Sequence, residues 1–345
     1  MIKIRPKRYR CPYCQDRPTT TQKLEWYEPR SLHTKAYEAH VLLSLVNSTV
    51  LAISLKEGIG YEAVMGMVDR YVDKKVDWNE FDELPILGID EIALKKGHRD
   101  FVTVITARLT EGKNRVLAIL EDRQKATVKA FFSSIPNRLR KTVQVVCSDL
   151  YEGYIHAARE VFGRKVRVTA DRFHVAKLYR KGLDNLRKKE MKRLKAELPK
   201  EQYKELNGVM WALRKHPNEA TPEELDLLKK LFKLTPLLGI AYLFCYTLTD
   251  IFEQPITKAE ARRKLRAWKY LVQNSELDCF DSFLKTLEER MDEITNYFTE
   301  RHSSGFVEGL NNKIKVIKRR CYGILNIDHL FQRLTIDLTG YEKFA

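Results

Sequence analysis

Apolar and polar positions change their period along the chain, and each change marks a different kind of element. From Ala36 to about Tyr71 the apolar residues fall at helical spacing, with Val41, Leu42, Leu45 and Val46 followed by Val50, Leu51 and Ile53. Within this stretch "ISLKEGIGYEAVMGMVDRYV" predicts a short helix, a turn over Glu57 to Gly60 and a second helix. Small Ser54, turn Gly58 and apolar Val64 suit a helix-turn-helix, whose corner needs a glycine, and suit an ordinary helical hairpin about equally well. The polar stretch "VDKKVDWNEFDELP" then predicts a linker.

Beyond Pro85 the period shortens. The runs Ile86 to Ile89, Phe101 to Ala107 and Arg115 to Leu120 are separated by "KKGHRD" and "TEGKN" and predict a three-stranded antiparallel meander. A helix is expected at Lys125 to Ser134. Strand "TVQVVCSD", helix "YEGYIHAAREVF", strand "RKVRVTAD" and a helix beginning "RFHVAKLYRKGL" follow. Three meander strands and then alternating helix and strand make a mixed α/β layer, the order of a ribonuclease H-like fold. From Lys181 to about Arg301 the pattern is helical and highly charged, predicting an all-helical insertion whose mixed charges are solvated faces. The run "PLLGIAYLFCYTL" inside it is too short for a membrane span and predicts a buried core helix. Finally "SSGFVEGLNNKIKVIKRRCYG" predicts one amphipathic helix, with Val307, Leu310, Ile314, Ile317 and Cys321 as its apolar stripe. Glu308, Asn311, Asn312, Lys315 and Arg319 form a separate polar stripe.

Composition narrows the classes. The 345 residues include 44% hydrophobic and 10% aromatic side chains, which excludes wholesale disorder. A net charge of +16 attracts polyanions and favours nucleic acid or an anionic membrane surface. The basic N-terminus "MIKIRPKRYR" has no apolar run behind it and is not read as a secretory signal. Six scattered cysteines fit a reducing compartment, so a cytoplasmic, nucleoid-associated protein is expected.

The chemistry is expected where carboxylates end strands. Asp90 and Asp149 fall at the ends of the first and fourth predicted strands, which this fold would make neighbours, and Glu308 can join them from the later helix. Three carboxylates are hard ligands for two Mg²⁺ ions, which would serve in-line phosphoryl displacement. Each taken alone has a plainer reading, and for Asp149 a helix cap would suffice.

The blocks "LGIDEIALKKGHRDFVTVI", "VCSDLYEGYIHAAREVF", "VTADRFHVAKL" and "SSGFVEGLNNKIKVIKRRCYGILNIDHLFQRL" together resemble the insertion-sequence transposases of the ISL-three type, within the DDE superfamily. The resemblance runs from roughly Arg8 to Tyr341. It implies a catalytic triad of Asp90, Asp149 and Glu308 binding Mg²⁺ or Mn²⁺, with a helical N-terminal DNA-binding region and a helical insertion. The implied divisions are 1–35, a shortened zinc module; 36–84, helix-turn-helix and linker; 85–180, the first part of the core; 181–301, the insertion; and 302–345, the last core helices. "ADRFHV" looks like a family signature that puts Asp171 and His174 near the site, with a helix cap and a packed histidine as the plainer reading.

The N-terminus departs from the family. Relatives of this type carry two Cys pairs, whereas this chain has only Cys11 and Cys14, with His33 and His40 as candidates to complete a tetrahedral Zn²⁺ site. A remnant that no longer holds zinc is favoured. Lys95, Lys96, His98 and Arg99 in the first turn, with Asn311, Lys315, Lys318, Arg319 and Arg320 on the last helix, are expected at DNA phosphates. The implied activity is cutting the element's terminal inverted repeats and joining the 3′-hydroxyls to target DNA, by a homodimer or larger assembly. The alternatives are a ribonuclease H-like nuclease that does not join strands and an inactive, domesticated DNA-binding remnant.

Overall fold

The structure, a computed structural model, describes residues 5–28, 31–94, 101–110, 112–301 and 305–345, the side chains of 305–308 excepted. Strands β1 (Arg8–Arg10) and β2 (Thr19–Thr21) form a small exposed antiparallel hairpin. Three helices follow, α1 (Lys35–Ser44), α2 (Val50–Glu57) and α3 (Tyr61–Tyr71). The Thr34 and Thr49 hydroxyls cap α1 and α2 by accepting from the N–H groups of Tyr37 and Ala52. Gly58 ends α2 at φ +66, a conformation that costs glycine no Cβ clash. Ser54 Oγ donates to the Ile59 carbonyl at 2.6 Å, and Val64 is fully buried. The expected small, turn and core positions therefore each do the work that their residue type suits.

The central sheet is built from β3 (Ile86–Ala93), β4 (Phe101–Arg108), β5 (Asn114–Leu120), β6 (Val145–Ser148) and β7 (Arg167–Ala170), in the order β5-β4-β3-β6-β7. The first three run antiparallel, while β6 runs parallel to β3 and β7 parallel to β6. Side chains alternate across it. Leu87 and Ile89 enter a core shared with α4 (Lys125–Ser134), α5 (Asn137–Arg140) and α6 (Glu152–Phe162). Ile92, Val102 and Val104 face the opposite side.

After β7 the chain runs into α7 (Arg172–Glu197), α8 (Lys200–Lys204), α9 (Val209–Ala212), α10 (Pro222–Leu234), α11 (Pro236–Glu253), α12 (Lys258–Gln273), α13 (Asp281–Glu289) and α14 (Met291–Glu300). These share a core of their own, with Trp268, Phe280 and Phe283 in edge-to-face contact. The run expected to be a buried helix is α11, whose Tyr242 and Tyr246 hydroxyls donate to the Lys215 and Leu213 carbonyls. No helix among the described residues is long and apolar enough to cross a membrane. The α14 end returns to the sheet edge, where Asn296 donates to the Val168 carbonyl at 2.8 Å and Glu300 pairs with Arg167 at 2.6 Å.

Helices α15 (Gly305–Arg320) and α16 (Ile327–Phe344) close the second face of the sheet through Leu310, Ile314, Ile317, Leu330 and Leu334. The same α16 carries the N-terminal helices. Arg333 donates to the Leu45 and Ser48 carbonyls, Gln332 to Asp69 and the Val72 carbonyl, and Asp337 accepts from the Asn47 N–H at 2.8 Å.

Two elements differ from the sequence reading. The first strand does not stop at Ile89 but continues to Ala93, because β4 pairs with it all the way. A one-turn helix, α5, follows Pro136 where none was expected, too short to leave a periodic signal.

Candidate functional site

Asp90 sits inside β3, two residues past Gly88, the last position paired with β6. Asp149 follows Ser148, the last residue of β6, and Asp171 follows Ala170, the last of β7. Three carboxylates thus stand where three neighbouring parallel segments end. The Asp171 N–H donates to the Ser148 carbonyl at 2.8 Å and ties the last two together.

The surroundings of each follow from strand alternation. Asp90 lies on the Ile92 side of β3, facing α15, and its Oδ2 accepts from the Asn311 side-chain amide. Its Oδ1 accepts from the Glu91 N–H at 2.7 Å. Glu91 points to the opposite face and accepts from the Tyr154 hydroxyl of α6 at 3.0 Å, with Arg123 3.6 Å away. Tyr154 also meets Thr103 at 2.9 Å. Asp149 Oδ1 accepts from the Tyr151 N–H at 2.9 Å, a local turn that leads into α6.

Burial holds both Asp90 and Asp149 above the ordinary carboxylate range by stripping water from the charged form. Backbone N–H donors and the charge of His174 oppose this, while Glu91 raises both; Asp171 also raises Asp90, and Asp90 raises Asp149. Neither carboxylate has a Lys or Arg ion-pair partner among the described residues. Two partly buried acids that repel each other without such a partner suit a divalent ion, and the oxygen donors are of the hard type such ions take. The buried Asn311 Oδ1, next to Asp90, has no hydrogen-bond partner among the described residues. No group of three His, Cys, Asp or Glu is assembled for a metal among the described residues, which do not include the Glu308 side chain.

The other expected residues divide. Asp171 caps α7, accepting from the Phe173 N–H at 2.7 Å, with His174 Nε2 3.8 Å from its Oδ2. Glu308 belongs to α15 one turn before Asn311, but its side chain lies outside the described residues, as do Lys95, Lys96, His98 and Arg99 entirely. Asn311 does not face outward with Lys315. It is 4% exposed, because positions 311, 314 and 318 form one ridge of the helix and that ridge is packed on the sheet. Lys318 on the same ridge donates to the Ala93 carbonyl, and burial lowers its pKa. Arg320 pairs with buried Asp337 at 3.0 Å. Of the cations expected at DNA on this helix, Lys315 and Arg319 are exposed.

Cys11 and Cys14 occupy the β1–β2 turn, the Cys11 thiol donating to Cys14 at 3.2 Å. His33 packs on Tyr37, and His40 stacks on that ring with its Nε2 3.3 Å from Glu57. Glu91 and Tyr154 were not foreseen as site residues. The only signal was Glu91's place beside Asp90 in a strand, since Tyr154 lies 63 positions away from its partner.

A family model described as a transposase matches residues 87–334, and one described as the helix-turn-helix domain of transposase family ISL3 matches residues 22–72. The chain belongs to transposase family ISL3. It is 25% identical over 307 residues to the transposase for insertion sequence element IS1001 of Bordetella parapertussis, covering 87% of this chain and 72% of that one. It is 23% identical over 351 residues to the transposase for IS1557 of Mycobacterium tuberculosis, covering 95% and 77%. Among solved structures, the Drosophila P element transposase strand transfer complex aligns over 92% of this chain and 94% of that one, at 12% identity and a TM-score of 0.49. The protein is thus a DDE transposase whose DNA-binding helix-turn-helix is formed by α1 to α3.

Proposed function

We propose that this ISL3 transposase works with Asp90, Asp149 and Glu308 as its catalytic carboxylates, on a ribonuclease H-like core interrupted by a helical insertion over 181–301. The observation that carries the reading is the approach of Asp90 and Asp149 where the parallel pairing of β3 with β6 ends, each partly buried and without a Lys or Arg ion-pair partner among the described residues. Glu308 belongs with them because Asn311, one turn further along α15, bonds Asp90.

The three carboxylates would hold Mg²⁺ or Mn²⁺, which when bound supplies positive charge to the attacking and leaving oxygens of a phosphodiester. The rest is positioning. Asn311 fixes one Asp90 oxygen, and Tyr151 and Tyr154 steady Asp149 and Glu91. Exposed Lys315 and Arg319 would neutralise phosphates on the DNA side. Water adds to phosphorus at the element's end and breaks its bond to the 3′-oxygen, leaving a 3′-hydroxyl and a 5′-phosphate. That hydroxyl then forms a new bond to a target phosphorus as the target's own 3′-oxygen departs. Both are in-line exchanges without a covalent enzyme intermediate.

A nuclease that only hydrolyses is the rival reading. Pre-cut terminal repeats carrying 3′-hydroxyls, incubated with target DNA and Mg²⁺, separate the two. Joined products are expected, and nicking of the target without joining would favour the nuclease.

A further inference from the structure

Beside the carboxylates, a groove of about 700 Å³ runs between α7 and the α9 to α11 helices. Its floor on α7 is the stripe Phe173, Lys177, Arg180 and Lys181, and across from it stand Met210 and Arg214, with the Trp211 ring beneath the Arg214 guanidinium. Three features point to one kind of occupant. Lys177, Arg180 and Lys181 are exposed and have no carboxylate partner among the described residues. The acid in the lining, Asp184, is already satisfied by Arg187 and Lys188, each at 2.7 Å. Two large aromatic rings are left in water: Phe173 in the lining is 55% exposed, and Trp211 at the rim is 61% exposed, with the guanidinium of lining residue Arg214 5.1 Å over its indole. Solvent-exposed aromatics framed by unpaired cations are what a flexible polyanion carrying flat apolar rings requires. A rigid duplex keeps its bases stacked inside and would leave the rings idle.

One lining residue of the groove adjoins the site. Phe173 follows the α7 cap Asp171 by two residues and makes an edge-on contact with His174, the residue whose charge reaches both Asp90 and Asp149.

We infer that this groove takes an unpaired stretch of the DNA strand at the element's end, with bases on Phe173 and Trp211 and phosphates on the α7 cations. The stripe from Phe173 to Asp184 spans about 16 Å at helical rise, room for about five stacked nucleotides. The assignment rests on the transposase reading only in needing a DNA strand to reach the carboxylates.

The test is fluorescence anisotropy on the full chain in EDTA, with a labelled terminal-repeat duplex that is blunt or carries five unpaired thymidines on either strand. A tail is expected to tighten wild-type binding about tenfold. Phe173→Ala and Trp211→Ala should each lose most of that gain and keep blunt affinity within about twofold, while Phe173→Tyr should retain it. No gain from either tail, or equal weakening of blunt and tailed DNA in the alanine variants, would overturn the assignment. The readout involves no chemistry, so it succeeds or fails separately from strand joining.

Discussion

Asn311 of α15 donates its side-chain amide to the Asp90 carboxylate of β3 across 221 positions of sequence. With the packing of Leu310, Ile314 and Ile317, this bond orients α15 over the sheet, and it also orients the first aspartate. Asn311→Leu keeps the branched shape but removes the donor and leaves a partly buried carboxylate oxygen unsatisfied. By analogy with the partners of metal ligands generally, activity should fall about 10- to 100-fold, with a higher Mg²⁺ requirement. A titration of joining against Mg²⁺ concentration checks it. An unchanged Mg²⁺ dependence would mean that the bond is merely packing.

Buried acids make a distinctive pH signature. The folded-state pKa of Asp149 is raised by burial above its unfolded value, so ionisation costs stability: the contribution is intact below the unfolded pKa of 3.8 and is lost as pH rises through the higher folded value. In EDTA, Asp149→Asn should therefore raise the melting temperature by a few degrees at pH 7, an advantage that fades toward pH 4. The asparagine carbonyl can still accept from the Tyr151 N–H. Melting curves at several pH values decide it, and Mg²⁺ should stabilise the wild type more than the variant.

The hydrogen bonds between the N-terminal helices and α16 flank one close approach at Gly340. A Cβ on Gly340 of α16 would come 2.6 Å from Val46 Cγ2, so α16 and the turn after α1 meet there without a side chain between them. Gly340→Val should cost about 1–3 kcal/mol by overpacking, seen as a lower melting temperature. Val46→Ala in the same background should recover part of it.

Glu308 is tested apart from its helix. Glu308→Gln should abolish cleavage and joining with the melting temperature nearly unchanged, since only charge is removed. Leu310→Asp should instead destabilise the fold, because Leu310 is 5% exposed against the sheet and a carboxylate there would have no partner. Full activity of Glu308→Gln would remove this glutamate from the site.

Much of this arrangement is legible in the residues because local periodicity and tertiary burial agree. Ser54, Gly58 and Val64 mark the helix-turn-helix, α4 matches its expected span, and Asp149 stands at the strand end where the alternation stops. What was not legible depends on partners distant in sequence. β3 extends past Ile89 only because β4 continues to pair with it. Asn311 reads as an outward polar residue until the sheet beneath supplies Asp90 as its acceptor. Lys318 and Arg320 look like free phosphate ligands, yet the Ala93 carbonyl and Asp337 claim them. A charge on an amphipathic helix says which face is polar, and the neighbour decides whether that polarity meets water or a buried partner.

As a catalytic carboxylate, Asp149 would serve chemistry and not DNA affinity. Asp149→Asn assayed on pre-cut and uncut terminal repeats with Mg²⁺, alongside anisotropy on the same DNA, tests it most directly. Loss of both cleavage and joining is expected, with affinity within a few-fold of wild type. Cleavage and joining at wild-type rates in that variant would contradict it.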